Sequence, residues 1–316
     1  ITVSTTVDPS LYPVLAPRAN DTAIFIAPNR TGETVSGFVI NASGTGIDSR
    51  STSGTNTLND LTLNSGLTGI SIVGSADYAI SDSVFNSQTG TGLENNGAGT
   101  IQLTSAAFTG IAGTAIETNN GTMVASEITV SDTAGSGIIV GGANQANLAL
   151  SASTISNSQQ SGIINDGDGT ITVNGTEISG SGQSGVRTTA GSTGTVSLAS
   201  STIDGETTGG GRSTTGILME GAAPVTLSGT RITTAVTGVD VTGNGRFTMT
   251  GGSITDMTND AIRLRPSAPT TALDGSADLT SVTIGSIGGS GIVTTGVAGQ
   301  GGNVSFVNSS MSTITD

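Results

Sequence analysis

A three-residue step governs this chain: a small polar residue, then Gly or Ala, then a branched aliphatic. It reads Thr45-Gly46-Ile47, Thr68-Gly69-Ile70, Thr91-Gly92-Leu93, Thr114-Ala115-Ile116, Ser136-Gly137-Ile138 and Ser161-Gly162-Ile163 in the first half. Ser184-Gly185-Val186, Thr215-Gly216-Ile217, Thr237-Gly238-Val239, Asp260-Ala261-Ile262 and Ser290-Gly291-Ile292 follow. Eleven copies about 22–30 residues apart define a repeat architecture, so single residues take their meaning from their place in the repeat.

Each repeat carries more than the step. An alternating apolar pair comes first, one apolar residue stands five positions later, and the Gly-Ile step follows eight after that. Ile101, Leu103, Phe108 and Ile116 form one such set; Ile171, Val173, Ile178 and Val186 form another. Alternation over short runs, broken by Gly, Asn, Ser and Asp, predicts strands rather than helices. Three short strands per coil predict the rung of a parallel β-helix, with rungs stacked about 4.8 Å apart. The fold class is therefore all-β: a single-stranded parallel β-helix of about 11–12 rungs, roughly 50 Å long at that spacing. Gly or Ala before the aliphatic suits a tight corner, where φ is positive or a neighbouring backbone passes close. Asn95 and Asn165 share one rung position, and Asn96 and Asn119 share the next, as corner Asn ladders would.

Residues 1–34 fall outside the repeat. Pro9, Pro13, Pro17 and Pro28 exclude a long helix or a central strand there. The segment is expected to cap the first rung, with Ile24-Phe25-Ile26 as one short strand. Residues 35–316 form the β-helix. Two insertions, Gly205 to Arg212 and Pro266 to Ala277, are expected to be surface loops. Val304, Phe306 and Met311 open a twelfth coil, and no Gly-Ile step follows before Asp316. That end is expected either to continue in a longer protein or to stack on another chain.

Composition excludes several functions. There is no Lys, His, Cys or Trp. A Ser-His-Asp or Cys-His set, a disulfide framework and a phosphate loop with Lys are all ruled out. A net charge of −14 with 9 Arg disfavours nucleic acid and anionic membrane. No apolar run is long enough to span a bilayer. A mean hydropathy of +0.12 argues against disorder.

The repeated Ser/Thr-Gly-Ile step and the Val-x-Leu strand before it resemble the right-handed parallel β-helix repeat proteins, the pectate-lyase-like superfamily, over residues 35–316. That fold hosts lyases, hydrolases, epimerases, phage tailspikes and surface adhesins. The Cys-free, Gly/Ser/Thr/Asn-rich character is most similar to bacterial adhesin or autotransporter passenger rods. The resemblance implies a test for chemistry: lyases of this family hold Ca²⁺ on acidic residues of one face and abstract a proton with Arg or Lys. Its hydrolases carry paired Asp and His-Gly motifs, and no His is present here.

Along each strand the residue after the inward aliphatic points outward. That column runs Asp48, Ser71, Glu94, Glu117, Ile139, Ile164, Arg187, Leu218, Asp240, Arg263 and Val293. Glu94 and Glu117 fall on adjacent rungs, with Asn96 and Asn119 two residues on, and could share a cation or flank a glycosidic bond. Arg187 lies three rungs further, too far for the same sugar. Asp240 and Arg263 read as a cross-strand ion pair, with Arg265 on the same face. Asp166-Gly167-Asp168-Gly169 reads as a Gly-rich corner rather than a calcium loop. Tyr78 falls inward and Tyr12 lies in the cap, so no aromatic sugar platform is evident.

The leading expectation is a non-enzymatic extracellular rod, either an adhesin passenger or a fibre subunit stacking end to end. No catalytic, cofactor or metal residue is assigned to it. Its partners would be its own ends and host-surface or matrix glycans and proteins, at a bacterial cell surface. The alternative is a polysaccharide-active β-helix enzyme, a lyase, hydrolase or tailspike-like depolymerase, depending on Glu94 and Glu117.

Overall fold

The computed structural model describes residues 13–142, 145–207, 211–266, 274–295 and 302–314. Their regular structure is all strand, with no helix among the described residues, so none there is long and apolar enough to cross a membrane. The strands form a 23-stranded sheet, a 12-stranded sheet and a two-stranded hairpin. One rung shows the plan. Thr91–Asn95 lies in the 12-stranded sheet, and Thr100–Thr104 and Ala107–Thr109 lie in the larger one. The following rung places Ile116–Thr118, Thr122–Ser126 and Thr129–Ser131 on them in parallel register. About 12 such turns make the expected right-handed parallel β-helix, with three strands per rung.

Burial follows the repeat. Leu93, Ile116, Ile138, Ile163 and Val186 stack in one register column, and each is fully buried. A second column joins Leu63, Phe85, Phe108 and Val130. Within it the Phe85 and Phe108 rings stack at 4.3 Å between centroids and 10° between planes. One rung cannot enclose these side chains; the neighbours above and below complete the core.

The glycine of the step is required by close approach, not by backbone sign. None of these glycines has a positive φ. A Cβ on Gly92 would stand 2.6 Å from the Ala115 carbonyl and 2.8 Å from Phe108 Cδ1. On Gly69 it would meet the Gly92 carbonyl at 2.5 Å. The backbone of the next rung and the core side chain beneath leave no room there.

Positive φ appears instead at the bend between the two strands of the larger sheet. Ser105 (φ 52°), Glu127 (φ 56°), Ala152 (φ 48°) and Ser200 (φ 48°) occupy successive copies of that bend, Gly175 (φ 56°) among them. An L-residue in this region costs roughly 1–2 kcal/mol. Ala152 is exposed. Ala152→Gly is therefore expected to raise stability by about 0.5–1 kcal/mol, less the added chain entropy of Gly, as measured by urea denaturation.

Tyr78 is inside, 1% exposed, as its position predicts. Its hydroxyl lies 2.6 Å from Ser49 Oγ. Burial raises its pKa above the ordinary 10.0, partly opposed by hydrogen bonds with Ser49 and Asn56. The raised folded value means that the native state keeps this proton after the unfolded chain has lost it. Stability is then full below about pH 10 and falls above it, by at most about 1.4 kcal/mol per pH unit, until the folded phenol also ionises. Tyr78→Phe should flatten that part of the pH–stability curve, as read by denaturant melts between about pH 9 and 11.

Ile24–Ile26 is a strand, as expected, and pairs in parallel with Thr45–Ser49. Val14–Leu15 pairs with Thr34–Asn41. Pro9 and Tyr12 lie outside the described residues. Within the insertion at 205–212, Glu206–Thr207 pairs in antiparallel fashion with Gly211–Arg212. Most of the Pro266–Ala277 insertion lies outside the described residues.

Candidate functional site

The outer face of the 12-stranded sheet carries the candidate residues. Alternation turns every second side chain of each strand to solvent, and parallel register stacks these side chains in columns. Glu94 and Glu117 are direct register partners, flanked by Ser71 and Ile139. Among the described residues of this sheet they are the one place where a carboxylate stands on a carboxylate in register. Like charges directly opposite on adjacent strands destabilise a sheet.

Amide side chains hold this pair. Asn96 Nδ2 donates to Glu94 Oε1 at 2.8 Å, and Asn119 Nδ2 donates to Glu117 Oε1 at 2.9 Å. Asn119 Nδ2 also donates to Asn96 Oδ1 at 3.0 Å, so the two amides form a ladder step. Ser71 Oγ reaches Glu94 Oε2 at 3.5 Å. Behind the face, buried Asn95 donates to the Asn120 carbonyl at 2.7 Å and to Thr118 Oγ1 at 3.1 Å. Both glutamates are half-buried and neither has an arginine partner among the ion pairs of the described residues. Two carboxyl groups fixed at sheet spacing, in contact with solvent and free of a permanent counter-ion, can exchange protons with a bound molecule. As cation ligands the set is thin: the amides present their N–H groups to the carboxylates. Among the described residues no group of three or more His, Cys, Asp or Glu could hold a metal.

The arginines form the expected pair and two shorter ones beside it. Asp240 and Arg263 are register partners and form an ion pair at 4.0 Å. Arg265 holds Asp240 more closely, Nη2 to Oδ2 at 2.5 Å and Nε to Oδ1 at 3.2 Å. Arg263 turns back to Asp260, with Nη2 and Nε at 2.6 and 2.9 Å from Oδ2. The expected cross-strand pair is therefore present, as the longest contact of a four-membered cluster. Asp260 sits at the corner three residues before Arg263 and also accepts the Ser290 N–H at 3.0 Å, so it offers a shorter reach. Two carboxylates, each nearly buried, are paired with two guanidinium groups. This cluster locks the corner rather than presenting a reactive acid. Arg187 likewise pairs with Glu220 at 2.7 Å.

The Asp166–Gly169 corner is as expected. Asp166 and Asp168 each accept a threonine hydroxyl from the next rung, from Thr189 and Thr193, at 2.5 Å. A further amide ladder escaped the sequence reading: Asn64 donates to Asn41 at 3.0 Å, and Asn86 to Asn64 at 3.1 Å. Their common distance after the alternating apolar strand was the available signal. A cavity of about 440 Å³ lies at the N-terminal end of the core, between Ile24, Ile26, Val35 and Phe38, with Arg30 and Glu33 at its rim. It is apolar and lies several rungs from the glutamates.

No family model matches the sequence, and no curated protein matches it. Solved structures share its fold. The catalytic unit of a thermostable GH87 alpha-1,3-glucanase from Streptomyces thermodiastaticus is similar with a TM-score of 0.59 and 15% identity, over 94% of this chain and 62% of that one. A tailspike of an Acinetobacter phage is similar with a TM-score of 0.51 and 10% identity, over 96% of this chain and 57% of that one. The chain thus spans under two thirds of either protein.

The non-enzymatic adhesin or fibre rod is corrected on this evidence. Solved structures that share the fold include a glucanase catalytic unit and a phage tailspike, and the sheet face carries a stacked carboxyl pair. The expectation leaned on missing residue types. Lack of His, Cys and Trp excludes triads and aromatic platforms, but acid–base cleavage of a glycosidic bond needs only two carboxyl groups.

Proposed function

We propose that this protein is a polysaccharide-active β-helix enzyme whose glycan lies along the outer face of the 12-stranded sheet. Glu94 and Glu117 are its pair of reacting carboxyl groups. The observation that carries this reading is the in-register stacking of two solvent-facing glutamates, each held by its own asparagine. Selection for stability alone would replace one of them, since like charges opposite each other oppose pairing. The similarity of fold to a glucanase catalytic unit supports the same reading.

Adjacent strands lie about 4.8 Å apart, near the roughly 5–5.5 Å between carboxyl groups that retention requires. One glutamic acid would protonate the glycosidic oxygen as the C–O bond breaks. The other carboxylate would attack the anomeric carbon and form a glycosyl ester. Water, deprotonated by the first glutamate, would then cleave that ester and regenerate both groups. Asn96 and Asn119 orient the carboxylates. An extracellular or cell-surface location accompanies this reading, because polymeric glycans are met there.

The test is a screen of purified protein against α-1,3-glucan, polygalacturonate and bacterial surface polysaccharides, read by release of reducing ends. Turnover of at least one polymer is expected. A broad panel without turnover, with and without Ca²⁺, would remove the proposal.

A further inference from the structure

The chain contains four Asn-Gly pairs: Asn96-Gly97, Asn120-Gly121, Asn174-Gly175 and Asn244-Gly245. Such pairs are where an asparagine is chemically least durable, because Gly has no Cβ to shield its nitrogen. In solution all four would react alike; the fold sets them apart. The Gly97 N–H donates to Asn95 Oδ1 at 3.0 Å. The Gly175 N–H donates to the Ala199 carbonyl at 3.0 Å, and the Gly245 N–H to the Gly221 carbonyl at 2.9 Å. Each of these nitrogens is committed to a partner other than its own asparagine.

Gly121 differs. Among the described residues no backbone carbonyl accepts its N–H, which instead points at the side chain of the residue before it, 2.8 Å from Asn120 Oδ1. With a C=O bond of about 1.2 Å, the side-chain carbonyl carbon lies at most about 4 Å from that nitrogen. This approaches the separation of about 3–3.5 Å from which reacting atoms combine. Asn120 is half-buried at a rung corner, so water reaches it.

We propose that Asn120 is a site of spontaneous modification, deamidating through a cyclic imide faster than the other three asparagines. The Gly121 nitrogen loses its proton to solvent base and bonds to the Asn120 side-chain carbonyl carbon. The bond from that carbon to Nδ2 breaks, and ammonia leaves with a proton from water. Water then opens the ring at either carbonyl, leaving aspartate or its isoaspartyl isomer in place of Asn120. The isomer lengthens the main chain by one carbon at a corner whose carbonyl anchors Asn95. Asn95 is the buried side chain behind Glu94 and Glu117, so ageing at Asn120 would loosen the backing of that pair. The chemistry itself does not depend on the glycan reading.

The experiment incubates the full chain at mildly alkaline pH, native and in denaturant, digests it under acid and quantifies aspartate and isoaspartate at each asparagine by mass spectrometry. In the native protein Asn120 should react at least about tenfold faster than Asn96, Asn174 or Asn244, a difference of about 1.4 kcal/mol in barrier. In denaturant the four rates should converge to within a few-fold. Asn120→Gln should abolish the dominant isoaspartate signal and leave the other three unchanged. Equal native rates, or a faster reaction at another pair, would overturn the proposal, and the wild-type map decides this without the variant.

Discussion

Phe108→Ala is expected to destabilise the protein by about 3–5 kcal/mol, the usual loss for emptying a buried aromatic site. Phe108 is fully buried, and its ring lies on that of Phe85 at 4.3 Å. The stack adds roughly 0.5–1.5 kcal/mol beyond the buried area. The site has little freedom to collapse, because strand ladders fix the rungs on both sides and Gly92 already brings the backbone against the Phe108 ring. In a stacked array each rung contacts only its neighbours, so the loss should concentrate in the rungs beside Phe108. Urea denaturation gives the magnitude, and hydrogen exchange along the chain gives the location. Phe25→Ala is the control: that side chain is 55% exposed, with the Arg50 guanidinium 5.7 Å over its ring, and its replacement should cost no more than about 1 kcal/mol. A loss at Phe108 below about 1 kcal/mol would mean that the core column does not carry the stack.

The second large effect concerns chemistry. Glu94→Gln and Glu117→Gln should each lower glycan turnover by about 10²–10⁴-fold, the contribution of a positioned general acid or base. Each keeps the shape of the side chain and removes one member of a like-charge pair, so stability should stay level or rise slightly. This combination of lost activity with retained stability separates a reactive pair from a structural one. Arg265→Gln serves as a contrast. It strips the main partner from Asp240, a carboxylate 8% exposed, and should cost stability before activity. If the glutamates act at sheet spacing, the released sugar should keep its anomeric configuration, as read by NMR early in the reaction.

The fold was legible because one physical requirement repeats. Every rung must turn aliphatic side chains inward at the same places, so Ile101, Leu103, Phe108 and Ile116 announce their positions by spacing alone. The bend residues were not legible. Ser105, Glu127 and Ala152 adopt positive φ although their side chains do not favour it; stacked backbone ladders on both sides impose the conformation. The glutamate pair could be placed from the repeat, since register follows from counting. Its amide supports could be placed too, but which atom each amide would face depended on rotamers. The Asp240–Arg263 pair could be placed from the register, but the shorter pairs beside it could not, for the same reason. A long guanidinium arm chooses among carboxylates within reach, and Asp260 had been read only as the polar member of a corner step. Function was read too far from absences, since missing residue types exclude particular mechanisms and leave two-carboxyl chemistry untouched.

On the proposed reading a glycan is bound and cleaved across the Glu94–Glu117 step of the sheet. A crystal structure of the Glu117→Gln protein with an oligosaccharide from its best polymer tests this most directly. The expected result is a sugar ring spanning the two rungs, with its glycosidic oxygen within hydrogen-bond reach of residue 117 and its anomeric carbon facing Glu94. A sugar seated elsewhere, such as over Arg263 and Arg265, with no contact to either glutamate would rule out cleavage by this pair.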